Sequence, residues 1–263
     1  MKINPQKLHC FKEKGHKLSM LTCYDYSFAR LINQTNIDLV LVGDSGVMTL
    51  FGYADTTHAT IEMMAIMTQA VRKGARDKCI IADMPFLSQR QGIKHATIAA
   101  DRLIKSGANA VKIEGIDGHE HVIQHLVESG IPVMGHLGLT PQFVHSTGYR
   151  VQGKSESAAI IIKKQAQKLQ QLGCFGIVLE CVPAQLAATI QAQTSIPLIG
   201  IGAGKYLDGQ VLVLHDMLGI TSDINPKFVR HFLDGGSLIQ SAINEYCVQV
   251  QSGDYPTQDE SYH

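Results

Sequence analysis

The sequence predicts an α/β protein: a single (β/α)8 barrel with additional C-terminal helices. Three observations predict it. Short apolar runs recur eight times along the 263 residues, segments with helical spacing separate most of them, and charged residues stand where the runs end. Alternating strands and helices imply parallel pairing with right-handed crossovers, and eight such units in about 250 residues fit a closed barrel. An open doubly wound sheet is the runner-up.

The runs are "LSMLTCYD", "DLVLVGDS", "KCIIADMP", "NAVKIEG", "IPVMGHLG", "FGIVLEC", "IPLIGIGAG" and "QVLVLHDM". Near-continuous apolar stretches such as Leu39 to Val42 are the mark of parallel strands buried on both faces. Between them, Ala96, Ala99, Ala100 and Leu103 follow the i, i+3, i+4, i+7 pattern of a helix, with Gly107 as its stop. Ala158, Ile161, Ile162, Leu169 and Leu172, ending at Gly173, repeat the design. Between the seventh and eighth runs only "KYLDGQ" intervenes, too short for a helical crossover, so the eighth unit is degenerate or the last strand irregular. After Asn225, "PKFVRHFLDGGSLIQSAINEYCVQVQSG" reads as two helices broken at Gly235 and Gly236. The expectation is one domain over 1–263, with 226–263 a helical extension packed on the barrel or on a neighbouring subunit.

At 45% hydrophobic and 17% charged, the chain can bury a large core. Lys plus Arg equals Asp plus Glu at 23 each, so no net field draws it to nucleic acid or an acidic membrane, and small metabolites are the expected partners. Six scattered cysteines without a CxxC pair read as reduced thiols of a cytoplasmic protein. The N-terminal "MKINPQKLHCFKEKGHK" lacks the apolar stretch of a signal peptide, and Glu13 argues against a transit sequence. No run of about 18 apolar residues offers a membrane span.

The strand tips carry Asp25, Asp44 with Ser45, Asp83, Lys112 with Glu114, His136, Glu180 and Asp216. In a barrel all C-terminal strand ends converge on one face, where the active sites of this fold lie. A single Asp after a strand is often only the N-cap of the next helix. Asp44, Asp83 and Glu114 together resist that reading. Lys112 and Glu114 are two residues apart, so both point the same way from one strand, and a buried charge must find partners there. Three acids and one lysine at a rim call for a counter-charge; an all-oxygen donor set favours Mg²⁺ over Zn²⁺.

Other features take the plainer reading. "IGIGAGK" at 199–205 could cradle a phosphate, but tight packing at the barrel mouth explains it as well. His119, His121 and His125 lack an evident fourth donor for a metal. Met63, Met64 and Met67 read as core or subunit contact.

The blocks "LTCYDYSFAR", "LVGDS", "IADMPF", "VKIEG", "GIPVMGHLGLTPQ", "YRVQGK", "VLECVPAQLA", "IPLIGIGAG" and "DGQVLVLHDMLG" resemble the successive signatures of the ketopantoate hydroxymethyltransferase (3-methyl-2-oxobutanoate hydroxymethyltransferase) family, in that family's order and over nearly the whole chain. The resemblance implies a Mg²⁺-dependent barrel, a homo-oligomer and by family a decamer. It further implies addition of a hydroxymethyl group from the co-substrate 5,10-methylenetetrahydrofolate to 3-methyl-2-oxobutanoate, the first step of the branch leading to pantothenate. It makes Asp44, Asp83 and Glu114 the metal residues. Asp44, Ser45, Asp83 and Lys112 become the keto-acid contacts, Glu180 the proton acceptor, and His136 a pocket residue that also binds substrate. Val178, Leu179 and Val182 offer Glu180 an apolar setting suited to a general base.

The chain departs from the family's pattern at Gly46-Val47, which stand in the other order, at Ala54-Asp55 in "GYADT", and near Gly148, where the loop is one residue shorter and Arg150 replaces a common Lys. Rival readings are a phosphoenolpyruvate- or pyruvate-lyase type barrel, a Schiff-base aldolase using Lys112, and a silent scaffold.

Overall fold

The computed structural model describes residues 3–221 and 226–262. Met1 and Lys2, which open the basic N-terminal stretch, and Asn225, from which the tail was counted, lie outside them. The chain forms two compact units, Met1–Val213 and Leu214–His263.

The first unit is a closed barrel of parallel strands in the order β1 to β8, and each strand is hydrogen-bonded to its sequence neighbours. They are β1 (Leu18–Thr22), β2 (Leu39–Val42), β3 (Cys79–Asp83), β4 (Ala110–Glu114), β5 (Val133–Gly138), β6 (Gly176–Glu180), β7 (Leu198–Ile201) and β8 (Gly209–Leu212). Each of the eight apolar runs supplies one strand. A short α1 (His9–Glu13) precedes them. The crossovers run through α2 (Tyr26–Asn33), α3 (Gly46–Phe51) with α4 (Ile61–Gly74), α5 (Ile93–Lys105), α6 (Glu120–Glu128), α7 (Val144–Thr147) with α8 (Glu156–Gln171), and α9 (Ala184–Gln193). No helix lies between β7 and β8, so the eighth unit is the degenerate one.

Local signals start these helices. The Asp25 carboxylate accepts from the N–H groups of Ser27 and Phe28, Thr60 caps α4 and Ser155 caps α8, each satisfying a donor with no partner inside the helix. In α5 the residues read from the sequence, Ala96, Ala99, Ala100 and Leu103, are the buried ones. In α8 the buried stripe is Ile162, Ala166 and Leu169. Ile161 is exposed instead, being turned about 100° from its neighbour on a helix of 3.6 residues per turn.

The barrel interior follows from the period of two along a strand. Leu18, Met20, Leu39, Leu41, Cys79, Ile81, Ala110, Met134, Val178, Ile199 and Val211 pack one apolar core, which Leu8 joins from the N-terminal segment. Lys12 fastens that segment to the strand starts through Asp208 (3.1 Å) and the carbonyls of Gln191 (3.3 Å) and Ile196 (3.1 Å). Continuing along the same inward-facing columns, Cys79 and Ile81 lead to Asp83, Ala110 to Lys112 and Glu114, Met134 to His136, and Val178 to Glu180. Each column changes from apolar to ionisable as it reaches the C-terminal end.

In the second unit, α10 (Leu214–Met217) is followed by α11 (Gly235–Ser252). Two expectations are corrected here. Asp216 stands on α10 rather than at a strand tip, with Thr221 Oγ1 bonded to its carboxylate at 2.5 Å. The two helices expected in the tail reduce to one, and Gly235 and Gly236 open that helix instead of breaking a pair. Backbone bonds explain it: Phe232, Gly235 and Gly236 donate to the carbonyls of Met217, Leu218 and Gly219, at 2.8, 2.9 and 2.9 Å. A Cβ on Gly235 would stand 2.5 Å from the Leu218 oxygen, so the close approach needs glycine.

Among the described residues, no helix is long and apolar enough to cross a membrane.

Candidate active site

The ionisable columns meet at the C-terminal ends of β2 to β6, and strand register sets who meets whom. Asp83 on β3 pairs in register with Lys112 on β4, and Glu114 on β4 with His136 on β5. Lys112 Nζ accordingly lies 3.0 Å from Asp83 Oδ1 and 3.8 Å from Glu114 Oε1. His136 Nδ1 lies 3.2 Å from Glu114 Oε1, and its Nε2 lies 3.2 Å from Glu180 Oε2 on β6. Asp44, just past β2, donates its backbone N–H to Asp83 Oδ2 at 3.1 Å. Asp44, Asp83, Lys112, Glu114 and His136 are each at most 4% exposed. Glu180 is more open, with its side chain 16% exposed.

Burial and mutual repulsion set the charges. Burial, then the charges of Asp83 and Glu114, raises the Asp44 carboxyl well above the usual range. Asp83 is raised too, by burial and by Glu114, although Lys112 opposes this. Burial alone would strip the Lys112 ammonium of its proton, but Asp83, Glu114 and Asp44 outweigh it and hold the pKa above its ordinary value. Burial would likewise raise Glu114, yet His136, Lys112 and the Gln142 N–H keep it low. His136 is pushed up to about 9 because its bonds to Glu114 and Glu180 prevail over burial and the Lys112 charge. At neutral pH its ring is therefore an imidazolium, with Nδ1–H bonded to Glu114 and Nε2 facing Glu180 at ion-pair distance. Lys112 Nζ lies 3.2 Å from the same Nδ1 and is ion-paired with Asp83 and Glu114.

The structure brings together the strand-tip residues singled out from the sequence, apart from Asp25 and Asp216. Asp25 is the cap of α2. Ser45 stands next to Asp44 in the chain, its Oγ 2.9 Å from the Tyr24 hydroxyl. Gly46 packs so closely beneath that tyrosine that a Cβ would stand 2.7 Å from the ring and 2.8 Å from Met67 Sδ, which accounts for the glycine at this place in the inverted pair. The setting of Glu180 differs from the apolar one expected, since its carboxylate faces His136.

Sequence reasoning passed over Gln142, which sits on the turn Pro141–Phe143 and is 2% exposed. It also passed over a contact between mouth loops: the Asp55 carboxylate lies 3.3 Å from His58 Nδ1 and 3.2 Å from His145 Nε2. The Thr57 hydroxyl, also bonded to it, holds that carboxyl below its usual range. The departure at Ala54-Asp55 and the shortened loop near Gly148 thus belong to one contact. The plainer readings hold elsewhere. A Cβ on Gly200 or Gly204 would stand 2.8 Å from Leu207 or 2.4 Å from Ala184, so that stretch is close-packed. Met64 and Met67 are core.

A cation fits the chemistry of the donors: three buried carboxylates, all oxygen, with one lysine among them, and a buried Gln142 Oε1 that has no hydrogen-bond partner among the described residues. Their oxygens are presently turned to Lys112, His136 and Gln142. Among the described residues no three His, Cys, Asp or Glu side chains stand ready in a ligating group, so binding would re-aim these carboxylates.

A parallel barrel with a buried acid and lysine cluster at the C-terminal strand ends has the architecture of a barrel enzyme. A family model described as ketopantoate hydroxymethyltransferase matches residues 2–258. A 3-methyl-2-oxobutanoate hydroxymethyltransferase of Francisella tularensis subsp. novicida is 51% identical over 252 residues, 95% of each chain. One of Bdellovibrio bacteriovorus is 49% identical over 255 residues, 97% of each chain. The chain belongs to the ketopantoate hydroxymethyltransferase family. Among solved structures, a phosphonopyruvate hydrolase complex with oxalate and Mg²⁺ superposes with a TM-score of 0.64 at 10% identity, covering 98% of this chain and 93% of its own. A 2,3-dimethylmalate lyase of the PEP mutase/isocitrate lyase superfamily gives 0.60 at 14% identity, covering 99% and 92%. At such identities the likeness shows a shared fold alone.

Proposed function

We propose that this chain transfers a hydroxymethyl group from 5,10-methylenetetrahydrofolate to 3-methyl-2-oxobutanoate, giving 2-dehydropantoate and tetrahydrofolate on the way to pantothenate, with Mg²⁺ as its cation. Family membership and the names of its relatives support the reaction. The observation that carries the mechanism is the continuous buried contact from Asp44 and Asp83 through Lys112, Glu114 and His136 to Glu180.

Asp44, Asp83 and Glu114 would hold the cation. When bound, it supplies a Lewis acid for the keto and carboxylate oxygens of the substrate, which acidifies the C3 hydrogen. Lys112 places a fixed positive charge in the same buried space, where charge developing on the keto oxygen is stabilised most strongly because water is excluded. Ser45, oriented by Tyr24, binds the acid end of the substrate, with Asp44, Asp83 and His136 beside it. Glu180 takes the C3 proton. It is the more exposed carboxylate at the rim, within reach of a substrate entering from the mouth, and His136 fixes its orientation. The deprotonated C3 then forms a bond to the folate's methylene carbon as one of that carbon's two bonds to nitrogen breaks; water supplies the hydroxyl as the second carbon-nitrogen bond breaks, and the freed nitrogens take up the C3 proton and one proton of the water.

The proposal extends to the assembly and setting. A homo-oligomer, by family a decamer, gives an account of Leu238, Ile239, Ile243 and Tyr246, apolar residues exposed on α11. In it the chain 1–263 is a single-domain protomer and 226–263 its C-terminal extension. Six unpaired cysteines support a cytoplasmic setting.

A turnover assay following 3-methyl-2-oxobutanoate with and without methylenetetrahydrofolate tests the reading. Consumption that requires the folate supports it. Folate-independent cleavage of a carbon-carbon or carbon-phosphorus bond would move the chain to the lyase chemistry named for its structural neighbours.

A further inference from the structure

Gln142 carries no charge and stands beyond the end of β5, yet it touches two of the three acids proposed for the cation. Its backbone N–H donates to Glu114 Oε2 at 3.0 Å. Its side-chain Nε2 donates to Asp44 Oδ2 at 2.8 Å and to the Met84 carbonyl at 2.9 Å. Both side-chain partners are acceptors, so the amide has one sensible orientation: nitrogen toward Asp44 and Met84, and Oε1 turned away. That Oε1 is buried and has no hydrogen-bond partner among the described residues, a state that is costly unless a donor arrives.

The turn that carries it is held on both sides. Leu139 N–H donates to the Glu180 carbonyl at 2.8 Å, Phe143 N–H donates to the Thr140 carbonyl at 2.8 Å, and Pro141 fixes the first position of the turn. Gln142 is thus a bracket between the tips of β2 and β4 and the segment leaving β3. A carboxylate that must hold a metal through one oxygen needs its other oxygen fixed, and such outer partners tune metal affinity nearly as much as the ligands do.

We infer that Gln142 is the positioning residue of the cation site, holding one oxygen of Asp44 and one of Glu114 while the other oxygen of each turns to the cation. Its lone Oε1 marks where a donor enters once the cation is bound. This rests on the reading that these acids bind a divalent cation.

The test uses Mn²⁺ as the probe, titrated into the full-length protein without substrate, with free ion followed by electron paramagnetic resonance. Gln142→Met keeps the length of the side chain and removes its polar atoms; Gln142→Asn keeps the amide but is one methylene short. Both leave the backbone bond to Glu114 in place. Each is expected to bind Mn²⁺ about 10–100-fold more weakly than the wild type. Excess Mg²⁺ should then restore most of the exchange of the substrate's C3 hydrogen with solvent, because the loss lies in affinity. If Gln142→Met does not fold, Gln142→Asn decides. Variants that melt at a lower temperature but bind Mn²⁺ as the wild type does overturn the inference and make Gln142 a structural tie. A wild type that binds no Mn²⁺ overturns the cation reading itself, and the inference with it.

Discussion

His136 turns its Nε2 to Glu180 Oε2 at 3.2 Å, joining the proposed proton acceptor to the buried charge cluster one strand away. Its other nitrogen lies at the same distance from Glu114, so one imidazole ring bridges the proposed base and a proposed metal residue.

That bridge has a consequence for stability. In the metal-free protein His136 is raised to about 9, against about 6.5 when unfolded. A raised folded-state pKa contributes stability that is complete below about pH 6.5 and lost as pH climbs through about 9. The raised carboxyls of Asp44 and Asp83 act in the same direction. Urea unfolding of the metal-free protein should therefore show stability declining between about pH 7 and 9.5. His136→Gln should flatten that limb, and an unchanged slope in the variant would remove the bridge from the account.

Metal dependence follows from the three acids. Chelator should abolish turnover and Mg²⁺ restore it, while Asp83→Ala should weaken metal and keto-acid binding together, since the metal is their common link. Calorimetric titration of each ligand separates the two affinities. Full activity in a rigorously metal-free sample would sink the assignment.

The proposed mechanism uses Lys112 as a fixed charge, not as an amine nucleophile. Its neighbours Asp83, Glu114 and Asp44 keep it protonated, and a protonated amine cannot attack a carbonyl. Borohydride with 3-methyl-2-oxobutanoate should leave the protein's mass unchanged. A stable adduct on Lys112 would place the protein with the Schiff-base aldolases.

Cys181, the residue after Glu180, is held at φ +47°, a left-handed conformation that costs a side-chain-bearing residue about 1 kcal/mol or more. Its N–H donates to the Ile201 carbonyl and its own carbonyl accepts from Gln152 N–H, so the strain is locked in beside the proposed base. Cys181→Gly should change stability by less than about 1 kcal/mol, whereas β-branched Cys181→Val should cost more than about 1 kcal/mol. Urea midpoints of the two variants compare them directly, and equal midpoints would contradict the strain.

The barrel was legible in the sequence because parallel strands buried on both faces write themselves as continuous apolar runs. The acid cluster was legible because a period of two carries an inward column past the core to its tip, as from Cys79 and Ile81 to Asp83. Asp25 and Asp44 look alike in sequence, each an acid closing an apolar run. Only in three dimensions does one become a helix cap and the other a buried carboxylate. Gln142 was illegible for a related reason: a neutral side chain on a turn gains its importance from Asp44, 98 residues away. The tail misled because Phe232, Gly235 and Gly236 are held by backbone bonds to Met217, Leu218 and Gly219, which compete with the helix that the composition of 226–234 suggests.

The central claim is that Glu180 removes the C3 proton before the folate is attacked, and hydrogen exchange tests it most directly. In D₂O with Mg²⁺ and no folate, the wild type should exchange the C3 hydrogen of 3-methyl-2-oxobutanoate, because a deprotonated substrate with no electrophile must be reprotonated from solvent. Glu180→Gln keeps the size of the side chain and an oxygen to face His136, but removes the base. It should still bind the keto acid, while exchange falls by roughly 10²–10⁴-fold, the loss typical of general-base catalysis. Exchange per bound substrate that persists in Glu180→Gln would contradict the account and leave Glu180 a positioning residue.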